Sequence, residues 1–198
     1  MKVESILEHY FEERGLILSE EKTFIKNISE GFDFVGFNFR QYKTKDGLKC
    51  FSKPSKDSIK KFKMKVDEIV KNCYGSNVEV LINWLNPVIR GTANYWRHVV
   101  SKEVYYAMDA YIFKKVYRFL CRMHNNKGKR WINKRYFPYF SDGKHSSKWV
   151  LSDPRTGVHL IRMGWTPIRR HIMIKHNYSP YDKDKTEYFK LRGSKPVL

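Results

Sequence analysis

The residue types that do chemistry are present in this chain, but not in the patterns that chemistry needs. Asp182-Lys183-Asp184 sets two carboxylates close enough to bind Mg²⁺ in principle, yet its charged and polar neighbours read as a solvated segment. No two aspartates are adjacent, and His145, His159, His171 and His176 lack the cysteine spacing of a zinc or nuclease site. The sequence holds no G-x-x-x-x-G-K-[ST] phosphate loop, no G-x-S-x-G elbow and no H-E-x-x-H pair. Cys50, Cys73 and Cys121 are odd in number and far apart, which argues against disulfides and a zinc knuckle and for small apolar side chains in or near a core. The expectation is a binding protein with no catalytic residue, no metal and no cofactor.

Charge says what it would bind. Within 198 residues, 39 Lys and Arg face 20 Asp and Glu, a net +19 that favours a polyanion, nucleic acid before an anionic membrane surface. Position sharpens this. No acid lies between Asp109 and Asp142, while Lys114, Lys115, Arg118, Arg122, Lys127, Lys129, Arg130, Lys134 and Arg135 all do. A merely solvated helix face mixes signs, so an unbroken run of one sign points to an outside partner. Lys114, Arg118 and Arg122 are four apart and make one stripe, away from Met108, Ile112 and Val116. Tyr117, Trp131, Tyr136 and Phe137 are interleaved with the cations; both core packing and base stacking stand open for them.

The elements that must position these residues follow from periodicity. Ile6, Leu7, Tyr10 and Phe11 predict a helix over 2–13, with Gly15 as its stop. From Leu16 the runs TFIKNI, FDFVGFNFRQY and KTKDGLKCF predict two or three antiparallel strands, with Asp46-Gly47 as a hairpin turn. Ile59, Phe62, Val66, Ile69, Val70 and Cys73 predict a second helix ending at Gly75. Pro87 has no N–H and obstructs a preceding turn, so Asn86 is expected to cap a fresh helix. Its core side is expected along Val88, Thr92, Trp96 and Val100, with Ile89 and Ala93 beside that line and Trp84 also in the core. Ser101 starts another helix, with apolar face Val104, Met108, Ile112, Val116, Phe119 and Leu120. The helices in succession suggest a small bundle. NNKGKRWINKRYFPYF follows as a basic, aromatic loop or short helical turn, and two short β runs flank the turn Asp153–Gly157.

The stretch LINWLNPVIRGTANYWRHVVSKEVYYAMDAYIFKKVYRFLCRMHNNKGKRWINKRYF closely resembles the maturase-specific domain, domain X, of group II intron-encoded reverse transcriptases. The likeness rests on Leu-Asn-Pro-x-x-Arg-Gly, the following Asn-Tyr-Trp-Arg-His, the next helix and the basic K-x-x-W-I-x-K-x-Y-F tail. Upstream, Glu21-Lys22-Thr23 and Gly31-Phe32-Asp33-Phe34-Val35-Gly36-Phe37 resemble the last two conserved blocks of that family's polymerase domain. Downstream, TPIRRHIMIKHNYSPYDKDKTEYFKLR is similar to the segment after domain X. The resemblance implies an α+β chain in three parts: a small antiparallel palm remnant over 1–54, a helical, thumb-like domain X over 55–140, and a short β-containing carboxy-terminal extension over 141–198.

The family's metal-binding aspartates, one pair in a Tyr-x-Asp-Asp strand, have no counterpart in the sequence, nor has its H-N-H endonuclease with cysteine pairs. The resemblance therefore implies a protein that binds group II intron RNA and assists folding and splicing, the chemistry being the RNA's own, without polymerase activity of its own. The positions expected near RNA are Arg90, Arg97, His98 and Lys102, the basic run just named with Trp131, and Arg169, Arg170 and His171. Alternatives are one half of a split reverse transcriptase whose palm is on another chain, and a nonspecific binder of RNA or DNA. No apolar run approaches the roughly 18 residues of a membrane span, and the acidic amino terminus lacks a signal-peptide core, so a cytoplasmic or organellar, non-secreted protein with no membrane partner is expected.

Overall fold

Val35 and Gly36 both hold positive φ, 46° and 76°, and fold the run FDFVGFNFRQY back on itself. Two successive left-handed residues match the twist of antiparallel strands in a two-residue hairpin. The computed structural model, which describes residues 2–19, 23 and 25–169, thus makes two strands of one apparent run: β1 (Phe32–Phe34) and β2 (Phe37–Thr44). β2 pairs throughout with β3 (Gly47–Pro54), from Phe37 opposite Pro54 to Thr44 opposite Gly47. The connecting turn is Lys45-Asp46, one residue earlier than expected. The strand expected over TFIKNI is not formed among its described residues. Ile25 and Ile28 are exposed there, so no buried face holds an extended conformation.

α1 (Lys2–Glu12) precedes the sheet, and four helices follow it: α2 (Lys56–Asn72), α3 (Val78–Trp96), α4 (Lys102–Met123) and α5 (Lys129–Tyr136). Ser55 begins α2, its Oγ accepting from the Ser58 N–H at 3.1 Å and satisfying one orphan donor of the first turn. Phe62 and Val66 of α2, Leu81, Leu85, Ile89 and Trp96 of α3, and Tyr105, Ile112 and Phe119 of α4 meet in one buried core. This is an α+β chain with a helical bundle beside small antiparallel sheets.

α3 runs unbroken through Pro87, against the restart expected at Asn86. Leu81, Ile82, Leu85, Ile89, Ala93 and Trp96 are buried on both sides of the proline, while Pro87 and Asn83 are exposed. The carbonyl that Pro87 leaves without a donor, that of Asn83, lies on the solvent side, and burial of the opposite row outweighs the lost bond. Of the side expected to face the core, Ile89, Ala93 and Trp96 are buried, whereas Val88 and Thr92 are half-buried and Val100 is exposed. Trp96 is in the core, but Trp84 is 52% exposed. Of the cysteines, Cys73 is buried, Cys121 half-buried and Cys50 exposed on β3.

Asn86 has a different task. Its amide donates to the His159 carbonyl at 3.0 Å and accepts from the Ile161 N–H at 2.9 Å, tying α3 to the chain 73 to 75 residues later. That later chain carries β4 (Phe140–Ser141) paired with β5 (Ser146–Ser147), a bridge between Ser152 and His159 around the expected turn, and a 3-10 turn at Met163–Trp165. Asp109 holds the last of these, accepting from the N–H groups of Met163 at 2.8 Å and Gly164 at 3.0 Å. The chain divides into two compact units, Met1–Ile168 and Arg169–Leu198; in the second, only Arg169 lies within the described residues.

Candidate nucleic-acid interface

α4 has two faces because its apolar residues recur every three or four positions. Tyr105, Met108, Ile112, Val116, Phe119 and Leu120 are buried, and Lys114, Arg118 and Arg122 are exposed on another side. Successive members of this row are about 6 Å apart along the axis, at 1.5 Å per residue. The Arg122 guanidinium lies 4.8 Å from the centre of the Tyr74 ring, which braces it without neutralising it.

Past the end of α4 the basic surface continues on α5, where Ile132 and Tyr136 face inward and Lys129, Arg130, Lys134 and Arg135 face solvent. Trp131 is half-buried, with Lys127 at 5.7 Å and Arg135 at 5.3 Å from its ring centre. His124 closes the corner, its Nε2 2.7 Å from the Tyr136 hydroxyl. Burial, then the charges of Arg135 and Lys127, push its imidazole below the ordinary histidine range, disfavouring the charged form. Tyr136 and Phe137 are buried, which assigns both to packing; Tyr117 is half-buried against Phe137.

Other residues expected near RNA are tied inward. Lys115 sits 2.7 and 2.8 Å from the two carboxylate oxygens of Asp67, which also accepts from the Tyr111 hydroxyl at 2.8 Å. Lys102 donates to the carbonyls of Gly164 at 2.5 Å and Thr166 at 3.3 Å. Arg97 and His98 are half-buried, and Arg90 is exposed on α3. Arg169 is exposed, and Arg170 and His171 lie outside the described residues, as does Asp182-Lys183-Asp184. Among the described residues, no cluster of three or more His, Cys, Asp or Glu is placed to hold a metal, and no helix is long and apolar enough to cross a membrane.

Sequence reasoning missed Asp109, a carboxylate only 8% exposed. Burial pushes it above its usual range, against the opposing hydrogen bonds of Gly164 and Met163 and the nearby Arg162. The signal was available: the helical period puts residue 109 with Tyr105, Ile112 and Val116 on the apolar side, where an acid must have partners.

The family described as "Group II intron, maturase-specific domain" matches residues 59–137, which span α2 to α5 and the whole basic row. A curated relative, the ribosomal operon-associated A protein of Euglena gracilis, is 25% identical over 104 residues, 52% of this chain. The match spans only 20% of that protein's length. Residues 59–137, which form most of α2 to α5, thus match the maturase-specific domain of group II introns and support a maturase-like region there.

Proposed function

We propose that this chain binds group II intron RNA through the exposed cations of α4 and α5 and helps that RNA reach its splicing-active fold, without polymerising nucleotides. The observation that carries the reading is the solvent-facing row Lys114, Arg118, Arg122, continued by Lys127, Lys129, Arg130, Lys134 and Arg135, on helices whose other faces are buried. Such a surface lowers phosphate repulsion as RNA helices close together, and released counterions drive association. In this reading residues 1–54 are a palm remnant, 55–140 domain X and 141–198 an extension, and the RNA supplies the chemistry. Arg90, Arg97, His98, Arg169, Arg170 and His171 serve as outlying contacts.

A titration of the chain against a group II intron RNA and a size-matched unrelated RNA, at several salt concentrations, tests this. Phosphate contacts weaken for both as salt rises, whereas shape and base contacts preserve a preference for the intron. Equal affinities that collapse together would replace the reading with nonspecific polyanion binding.

One observation favours a second reading, in which a separate chain supplies the rest of a reverse transcriptase. Ile6, Leu7, Ile17, Ile25, Phe34, Val35 and Leu48 are all exposed, a concentration of apolar surface on the amino-terminal part. Co-expression with a chain carrying a Tyr-x-Asp-Asp palm, followed by co-purification and a primer-extension assay, would separate the two.

A further inference from the structure

Beside the basic row lies a cleft of about 330 Å³, floored by α4 and walled by the carboxy-terminal chain. It is within the size of small-ligand sites, roughly 300–1,000 Å³. Phe113 forms one aromatic wall, packed on Phe137 with ring centres 5.3 Å apart. Trp149 meets Phe113 edge to face at 5.5 Å yet is 58% exposed, so much of its indole has no protein neighbour. Tyr106, also exposed, lines the same opening.

The rim is cationic. Lys114, first member of the exposed row, lines the cleft, as does Arg162, which donates to Ser147 Oγ at 3.0 Å. The acid among its lining residues, Asp109, is engaged by two backbone N–H groups and lies 3.6 Å from Arg162. An exposed aromatic face beside the solvent-facing Lys114 suits a group that is flat and apolar on its faces and anionic at its attachment point. A nucleotide fits that description, because every base has a π-face and every linkage a negative charge.

Resting on the RNA-binding reading above, we infer that this cleft takes an unstacked base of single-stranded or looped RNA, stacked on the exposed face of Trp149 with Phe113 at its edge and its phosphate on Lys114. Duplex RNA keeps its bases stacked inside and would engage only the cationic row. The row then supplies affinity for any RNA, and the cleft supplies selection for unpaired segments.

The test compares Trp149→Ala and Trp149→Phe with the wild-type full chain, titrating a twelve-nucleotide oligoadenylate and a duplex RNA of equal length at several salt concentrations. Trp149→Ala is expected to weaken oligoadenylate binding roughly 5- to 100-fold, the loss of one base stack, with the salt slope and duplex affinity unchanged and Trp149→Phe recovering most of it. Unchanged oligoadenylate affinity, as would follow if another segment of the chain filled the cleft, overturns the inference while leaving the RNA-binding reading standing. So does an equal loss for both RNAs. Failure of the wild-type chain to bind either RNA overturns both.

Discussion

Lys115 and Asp67 join α4 to α2 through an ion pair with nitrogen–oxygen distances of 2.7 and 2.8 Å, while Lys114, one residue earlier, faces solvent at the rim of the cleft. Two neighbouring lysines of one basic run therefore have opposite duties, and charge reversal separates them. Lys114→Glu should lower the log–log salt slope of RNA binding by about 1 or more and leave stability unchanged. Lys115→Glu should instead destabilise the fold by about 1–2 kcal/mol: hydrogen bonds to charged groups contribute roughly 1.5–3 kcal/mol, and screening at a carboxylate 43% exposed reduces that. Urea unfolding and RNA titration of both variants decide it.

The same pair sets a pH window. Burial pushes the Asp67 carboxyl up, but hydrogen bonds from Lys115 and Tyr111 and the Lys115 charge outweigh it and hold it below 3.8. The bond to Asp67 raises the Lys115 ammonium above 10.5, against the smaller effect of burial. Asp67 thus contributes stability above pH 3.8 that is lost as pH falls through its lower folded value, and Lys115 contributes stability below pH 10.5 that is lost as pH rises through its higher one. The Tm advantage of wild type over Lys115→Met should be greatest between these limits and shrink beyond both; a pH-independent difference would contradict the assignment.

Asn86 makes its two bonds across 73 and 75 residues of sequence. Asn86→Ala leaves the Ile161 N–H and the His159 carbonyl without these partners and should cost roughly 1–3 kcal/mol. Amide hydrogen exchange should show Ile161 losing protection while the α2 core keeps its own.

Val35 holds φ 46°, a conformation that strains a β-branched residue, and its side chain is exposed, so little packing opposes replacement. Its carbonyl accepts from the Tyr95 hydroxyl at 2.5 Å, and Phe37 stacks on Tyr95 at 4.8 Å, fixing the turn against α3. Val35→Asn should stabilise by about 1 kcal/mol, relieving left-handed strain while keeping the carbonyl. Gly36→Ala should destabilise, since residue 36 has φ 76° and an added Cβ would lie 3.2 Å from Ser58 Oγ. Thermal melts of both variants should move in opposite directions.

The sequence made legible what depends on neighbours in the chain. α2 and α4 follow from three-and-four spacing, and the unbroken basic run drew attention to the face that the family match encloses. What depends on distant partners was not legible. Pro87 announces a break by a local rule, and only the buried row from Leu81 to Trp96 shows why the helix continues. Lys115 is chemically indistinguishable from Lys114 until Asp67 arrives from another helix, 48 residues away. Trp84 and Trp96 share a residue type and a helix, yet the core lies on one side only. Trp149, in a short serine- and lysine-rich stretch, had no pattern to mark it, because its wall of the cleft exists only once residues 149–162 fold back on α4.

The most direct test of RNA binding by the basic row is the triple variant Lys114→Glu, Arg118→Glu, Arg122→Glu, titrated with group II intron RNA at several salt concentrations alongside a thermal melt. An interface on this row predicts an unchanged Tm, a log–log salt slope smaller by about 2–3, and at least a tenfold loss of affinity at moderate salt. Unchanged affinity and slope in a folded variant would contradict it and make the row a solvated helix face.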